Sequence, residues 1–180
     1  MPRPLLQLGR PSLSLTSTAS TAVVSSWELL SSARPVLSGP VVLLDDVGHM
    51  EAMSVAQHLV GQGCRVTVVS RFNELASQIK PDWATWSAKE YLSKAGVELE
   101  ARSFISAVGH GTVTVSPLDG GRDVEVPATA VVHVTFHEPN LDLAVALATV
   151  ADDVRVIGEA RTQRFLTSAI RDGYEAGRAV

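Results

Sequence analysis

Short unbroken apolar runs alternate along this chain with longer stretches whose apolar residues recur at helical spacing. VVLLD (Val41 to Asp45) follows Gly39-Pro40 and has the pattern of a strand buried on both faces. In EAMSVAQHLVGQG, Ala52, Val55, Ala56 and Leu59 share one helical face, and Gly61 and Gly63 stop the helix. RVTVVS (Arg65 to Ser70) is the next strand. Strand, helix and strand at this spacing predict a right-handed βαβ unit with two parallel neighbours. DWATWSAKEYLSKAG predicts another helix, with Asp82 as cap and Gly96 as stop, and VELEA a short strand. The alternation Thr112-Val113-Thr114-Val115, the Asp119-Gly120-Gly121 turn and then Val124 and Val126 predict a β-meander. AVVHVTF (Ala130 to Phe136) is a further buried strand, LDLAVALATV a helix and VRVIG (Val154 to Gly158) the last strand. The closing helix, TQRFLTSAIRDGYEAGRAV, carries Phe165, Leu166, Ala169 and Ile170 on its apolar face.

These elements predict an α/β fold, a Rossmann-like open and mainly parallel sheet with helices on both faces and an inserted meander. The expected organisation is an N-terminal arm over 1–38 and one nucleotide-binding-type domain over 39–180. The arm is rich in Ser, Thr, Pro and Leu with little periodicity, although Ser25 or Ser26 can cap a short helix through Trp27–Leu30. It reads either as a tail or as a segment that docks on a partner through Leu5, Leu6, Leu8, Leu13 and Leu15.

Composition narrows the function classes. Nearly half of the 180 residues are apolar, so most of the chain can fold around a core. The net charge of −4 is not gathered against a basic stripe, so neither nucleic acid nor an anionic membrane is expected as a partner. No apolar run approaches the ~20 residues of a bilayer span. The one cysteine, Cys64, excludes an internal disulfide framework, a multi-cysteine zinc site and a self-contained iron–sulfur cluster, and it reads as a structural thiol. A reducing cytoplasm fits, and the N-terminus lacks the continuous apolar stretch of a signal peptide.

The first strand–helix turn is where a Rossmann domain cradles a pyrophosphate with G-x-G-x-x-G. Here it reads Asp45-Asp46-Val47-Gly48-His49-Met50-Glu51. One glycine remains, Val47 is β-branched, and three carboxylates crowd a place meant for an anion. At ~4 Å like charges repel by about 1 kcal/mol even in water. The turn is either a closed cofactor site or one in which Asp46, Gly48 and His49 hold something else, such as a ribose hydroxyl or a partner chain. Arg71 ends the second strand where a basic residue can meet a 2′-phosphate, although an arginine there is more often a solvated charge. Near the C-terminus Gly158, Glu159, Ala160 and Arg161 join strand to helix. A carboxylate there can accept a ligand hydroxyl, or it can act only as a cap. No nucleophile–base–acid triad can be assembled and no metal site is expected. His133 reads as a hydrogen-bonded core residue, His58 as a helix-surface residue, His110 as part of a turn, and His137-Glu138 as a site or a surface loop. Trp83, Trp86 and Tyr91 read as packing or interface residues, with flavin stacking as the alternative.

The segment VRVIGEARTQRFLTSAIRDGYEAGRAV resembles the closing G-D-A helix motif of two-dinucleotide-domain flavoproteins. VVLLDDVGHMEAMSVAQHLVGQGCRVTVVSR is similar to the matching region of the trimethylamine dehydrogenase and 2,4-dienoyl-CoA reductase (Old Yellow Enzyme-like) family. The turn Asp45–His49 resembles its amine dehydrogenase branch. The resemblance runs from about Trp27 to Val180. It implies a flavin oxidoreductase in which an FMN barrel and an iron–sulfur cluster precede FAD/NAD-type domains. The barrel, the cysteine cluster and the glycine-rich FAD half have no counterpart in these residues, and Glu159 stands where the family has Asp. The resemblance therefore implies a non-catalytic or co-catalytic subunit, in which no catalytic residue is assigned. Gly158, Glu159, Ala160 and Arg161 would complete a FAD or ADP site shared with a larger flavoprotein subunit that carries the FMN and iron–sulfur cluster. An electron-transfer protein is the further expected partner. Two alternatives stand beside it: a binding or scaffolding module with a vestigial dinucleotide site, and an independent NAD(P)-dependent reductase, which the degraded turn disfavours.

Overall fold

The computed structural model describes residues 3–4, 20–31, 35–79, 83–162 and 166–179. The expected cap Asp82, the five arm leucines and Phe165 lie outside these residues. The chain divides into two compact units, Leu6–Thr135 and a second made of Met1–Leu5 with Phe136–Val180.

The first unit is built on five parallel strands. They are β2 (Ala22–Ser25), β3 (Pro40–Asp45), β4 (Arg65–Ser70), β5 (Glu98–Ala101) and β9 (Ala130–Val134), in the spatial order β2-β9-β3-β4-β5. Three helices connect them: α1 (Ser26–Leu30), α2 (Met50–Gly61) and α3 (Trp83–Lys94). The meander β6 (Ser103–Val108), β7 (Thr112–Pro117) and β8 (Val124–Pro127) forms a separate antiparallel sheet. The apolar runs become strands β3, β4 and β9 because the centre of the sheet is covered on both sides. Val41, Val42, Leu43, Val68, Val69, Val131 and Val132 are all buried.

The steps β2 to β3, β3 to β4 and β4 to β5 all cross the sheet in one direction. Right-handed crossovers, the rule for such units, therefore lay α1, α2 and α3 on one face, and α2 packs against both α1 and α3. The return from β5 to β9 runs the other way and belongs on the opposite face. The meander makes that return. Its Ile105, Val113, Val115 and Val126 form one core with Val42, Leu44, Val69 and Val131 of the parallel sheet. In this unit the second face is thus covered by the meander and not by the expected helices.

The sheet also begins earlier than the sequence reading placed it. Ala22–Ser25, assigned to the arm, pairs in parallel with β9 from Ala22↔Ala130 to Ser25↔His133. Ser25 then caps α1 in a full capping box. Its Oγ accepts from the Glu28 N–H at 3.1 Å, and its own N–H donates to Glu28 Oε2 at 2.8 Å. Gly96 ends α3 with φ +76°, as expected.

The second unit holds a two-stranded pairing of β1 (Arg3–Pro4) with β10 (His137–Glu138), then α4 (Asp142–Leu147) and α5 (Leu166–Arg178). His137 and Glu138, weighed as site or surface loop, are strand residues. Val154–Gly158, expected as the last strand, is not one. It has no pairing partner among the described residues, and it leads into a 3₁₀ turn, Gly158–Ala160.

Candidate functional site

The β3–α2 turn is closed from within. Asp45 Oδ1 accepts from the Val47 N–H at 3.1 Å and the Gly48 N–H at 2.8 Å, so the carboxylate occupies two backbone donors that would otherwise face an anion. Burial pushes the Asp45 carboxyl above its usual range, with the two N–H donors working against that shift and neighbouring Asp46 adding to it. Gly48 has φ +71°, and a Cβ there would lie 2.8 Å from the Phe72 ring and 2.9 Å from Gln78 Cγ. Gln78 N–H also donates to the Gly48 carbonyl at 3.0 Å. Side chains from the segment after β4 thus fill the space where a Rossmann turn leaves room for a pyrophosphate. The sequence offered no signal for Phe72 or Gln78, since neither belongs to a motif or a periodic face.

Asp46 and Arg71, both candidate ligand residues, are brought together instead. Arg71 Nε and Nη2 donate to Asp46 Oδ1 at 3.1 and 3.0 Å. The guanidinium, weighed between a 2′-phosphate and a solvated charge, is held by a carboxylate of its own chain. His49 is the N-cap of α2, but its side chain makes no capping hydrogen bond. In the first turn of α2, Glu51 Oε1 accepts from Ser26 Oγ at 2.6 Å. Three carboxylates of the protein, Asp45, Asp46 and Glu51, thus take up donors around this turn.

Gly158, Glu159, Ala160 and Arg161 lie in the second unit. Gly158 takes φ +61°, its N–H donates to Asp172 Oδ2 of α5 at 3.3 Å, and a Cβ would stand 3.3 Å from that of Ala169. Glycine is required there by the approach of the turn to α5. Glu159, Ala160 and Arg161 are exposed, and Glu159 makes no hydrogen bond or ion pair among the described residues.

The remaining candidates sort plainly. Cys64 is buried and its thiol donates to the Leu37 carbonyl at 3.3 Å, which is a structural role. His58 is half-buried beside Gln62, and His110 is exposed. Trp83, Trp86 and Tyr91 are exposed on α3. His133 differs from expectation. It is buried at the end of β9, yet Nδ1 has no hydrogen-bond partner, because its neighbour across the ladder is Leu44 on one side and Ser25, engaged with Glu28, on the other. Thr135 Oγ1, which the sequence reading did not single out, is likewise buried and unpartnered. No group of three or more metal-ligating side chains occurs among the described residues, and no helix there is long and apolar enough to cross a membrane.

The arrangement has solved counterparts. A 6-hydroxypseudooxynicotine amine oxidase from Pseudomonas geniculata N1 superposes with a TM-score of 0.77 at 28% identity, over 86% of this chain and 24% of that one. A histamine dehydrogenase from Rhizobium sp. 4-9 matches at TM-score 0.76 and 18% identity, over 91% of this chain and 26% of the other. This chain shares its fold with oxidoreductases. A 2-naphthoyl-CoA reductase, solved with 2-naphthoyl-CoA, adds a third case at TM-score 0.75 and 21% identity, over 98% of this chain and 25% of that one. The chain thus spans about a quarter of the length of each of these proteins. No family model and no curated protein matches it.

Proposed function

We propose that this chain is the small component of a flavin-dependent oxidoreductase of the amine dehydrogenase or enoate reductase type. On this reading it completes a FAD or ADP site, and the assembly, with a larger flavoprotein subunit that carries the FMN and iron–sulfur cluster. The observation that carries the reading is the number of apolar side chains left exposed in the second unit. Leu143, Val145, Val150, Leu166, Ile170 and Tyr174 are exposed within a short stretch of sequence, beside an extended segment with no strand partner among the described residues. Such a concentration marks a surface covered by protein. The likeness to a quarter of three much larger redox enzymes supports the same conclusion.

Glu159 is the residue assigned to the shared cofactor site, with Gly158, Ala160 and Arg161 around it. An exposed carboxylate on a tight turn, free of other bonds among the described residues, can accept a ligand hydroxyl. Losing a hydrogen bond to a charged group costs about 1.5–3 kcal/mol, so Glu159→Ala should weaken cofactor retention by roughly 10- to 150-fold. On this reading Asp46, Gly48, His49 and Arg71 hold no nicotinamide nucleotide, which the closed β3–α2 turn supports. Electrons would leave the assembly through an electron-transfer protein.

Co-purification from the native source tests the reading. A coloured complex with a larger chain, whose flavin content falls in Glu159→Ala, is the expected result. A colourless chain without partner would favour the second reading, a binding or scaffolding module with a vestigial dinucleotide site, for which the filled turn is the supporting observation.

A further inference from the structure

Residues 154–157 are extended, yet their main-chain N–H and C=O groups make no hydrogen bond among the described residues. Helix α5 fixes their conformation instead. Arg155 Nη1 donates to the Ala176 carbonyl at 2.9 Å and Nη2 to the Ala179 carbonyl at 3.2 Å, where the helix ends and its carbonyls lack helical partners. Asp153 orients the same guanidinium, its Oδ2 accepting from Nη2 at 2.7 Å. A Cβ on Gly173 would stand 3.9 Å from Ile157 Cδ1, and the Gly158 N–H donates to Asp172 Oδ2. The segment thus runs antiparallel along α5, from Arg155 at Ala179 to Gly158 at Ala169. Arg155 and Ile157 reach the helix. Residues two apart along a strand share a face, so Val154 and Val156 are turned from it. The result is one strand laid on one helix, as in a layer of an α/β sheet, with both ladder edges open.

An open edge is a template for another strand, and proteins that keep one free guard it with lysine, proline or a bulge. Here the four residues are Val, Arg, Val and Ile, and the one charged side chain is engaged by α5 and Asp153. Charge decides against a second copy of this chain. The antiparallel register that pairs residues 154–157 with themselves in full sets Asp152 opposite Glu159. A slip of one residue sets Asp153 opposite Glu159, or Arg155 opposite Arg155. Parallel pairing in register sets each acid against its own copy. Like charges directly opposite destabilise a strand pair. Asp152 is exposed and unbonded among the described residues, so that end of the segment favours a basic residue on the incoming strand.

We infer that residues 154–157 are completed by an extended strand of the larger subunit, apolar and β-branched at its centre, with a Lys or Arg opposite Asp152. Main-chain bonds would supply the affinity and the alternate side chains the choice of partner. Glu159, at the other end, is left to the cofactor. The interface rests on the reading of this chain as a small component of a larger assembly. Hydrogen exchange of the complex purified from the native source, compared with the isolated chain, tests it. Exchange over residues 154–157 is expected to be slower in the complex by roughly tenfold or more. Successive N–H groups face opposite edges, so Val156→Pro removes a donor from one edge and Ile157→Pro from the other. At least one of them should weaken association by roughly tenfold or more, while Val156→Thr, which keeps the donor, should not. Asp152→Lys should weaken association too, and more so at low salt. If the proline variants fail to fold, the exchange of the wild-type complex decides. A complex in which residues 154–157 exchange as fast as in the isolated chain would overturn the strand and leave the subunit reading standing. Failure to recover any larger chain would overturn both. Concentration-dependent protection in the isolated chain would put a second copy on the edge and overturn the larger subunit as its occupant.

Discussion

Gly48 shows how one position decides the use of a turn. Its φ of +71° costs a residue with a Cβ about 1–2 kcal/mol, and the Cβ would also press on Phe72 and Gln78. Gly48→Ala should therefore lower unfolding stability by roughly 2 kcal/mol or more, read by chemical denaturation. An unchanged midpoint would mean that the segment after β4 does not close on the turn. Asp45 acts at the same place by filling the Val47 and Gly48 donors. The isolated chain should therefore show no tight binding of NADH or NADPH. Micromolar affinity for either by calorimetry would contradict the closed turn. Three carboxylates and a missing glycine pattern already argued for closure, but the ion pair between Asp46 and Arg71 was not legible. The sequence leaves Asp46 between a closed turn and a ligand and Arg71 between a 2′-phosphate and a solvated charge, and nothing in their spacing puts one beside the other.

At the scale of elements, α1 is too short to persist unaided and depends on its cap. The Ser25 backbone and hydroxyl donors hold the Glu28 carboxyl below its usual range, with burial opposing and His133 adding a little. A depressed acid stabilises the fold above its unfolded-state pKa and loses that contribution as pH falls through the lowered value. Glu28→Ala should therefore cost about 1 kcal/mol at neutral pH, with the gap to wild type closing once the medium is acid enough to protonate Glu28. Denaturation at both pH values checks this, and a gap independent of pH would remove the carboxylate from the cap. Helix α5 was expected to bury Leu166, Ala169 and Ile170. Ala169 does meet Gly158, whereas Leu166 and Ile170 are 75% and 63% exposed. Ile170→Asp should leave the melting temperature of the isolated chain unchanged and abolish association with the larger subunit proposed above. A large loss of stability in the isolated chain would instead place Ile170 in an internal core.

For the whole molecule, the apolar runs, the helical spacings between them and the Gly and Pro punctuation were enough to read a mainly parallel α/β sheet with an inserted meander. Strands buried on both faces must be apolar throughout, and that pattern is local to the chain. The same pattern misassigned VRVIG. An apolar run records that a segment can be a strand, but a strand exists only when a neighbour supplies its hydrogen bonds, and none of the described residues does so. It also passed over Ala22–Ser25, a short segment in a Ser- and Thr-rich stretch that becomes a strand because β9 offers it an edge. Which face the meander covers followed from strand order and crossover handedness, which no window of sequence contains. Sequence by itself thus determined the central strands and helices and the loss of the phosphate-binding glycines, because both rest on backbone conformation and burial pattern. Only the tertiary structure decided that the turn is filled by Asp45, Phe72 and Gln78, that Arg71 is held by Asp46, and that His133 and Thr135 stand buried without partners. Those outcomes depend on which distant side chains meet, and contacts between residues far apart in the chain are created by packing.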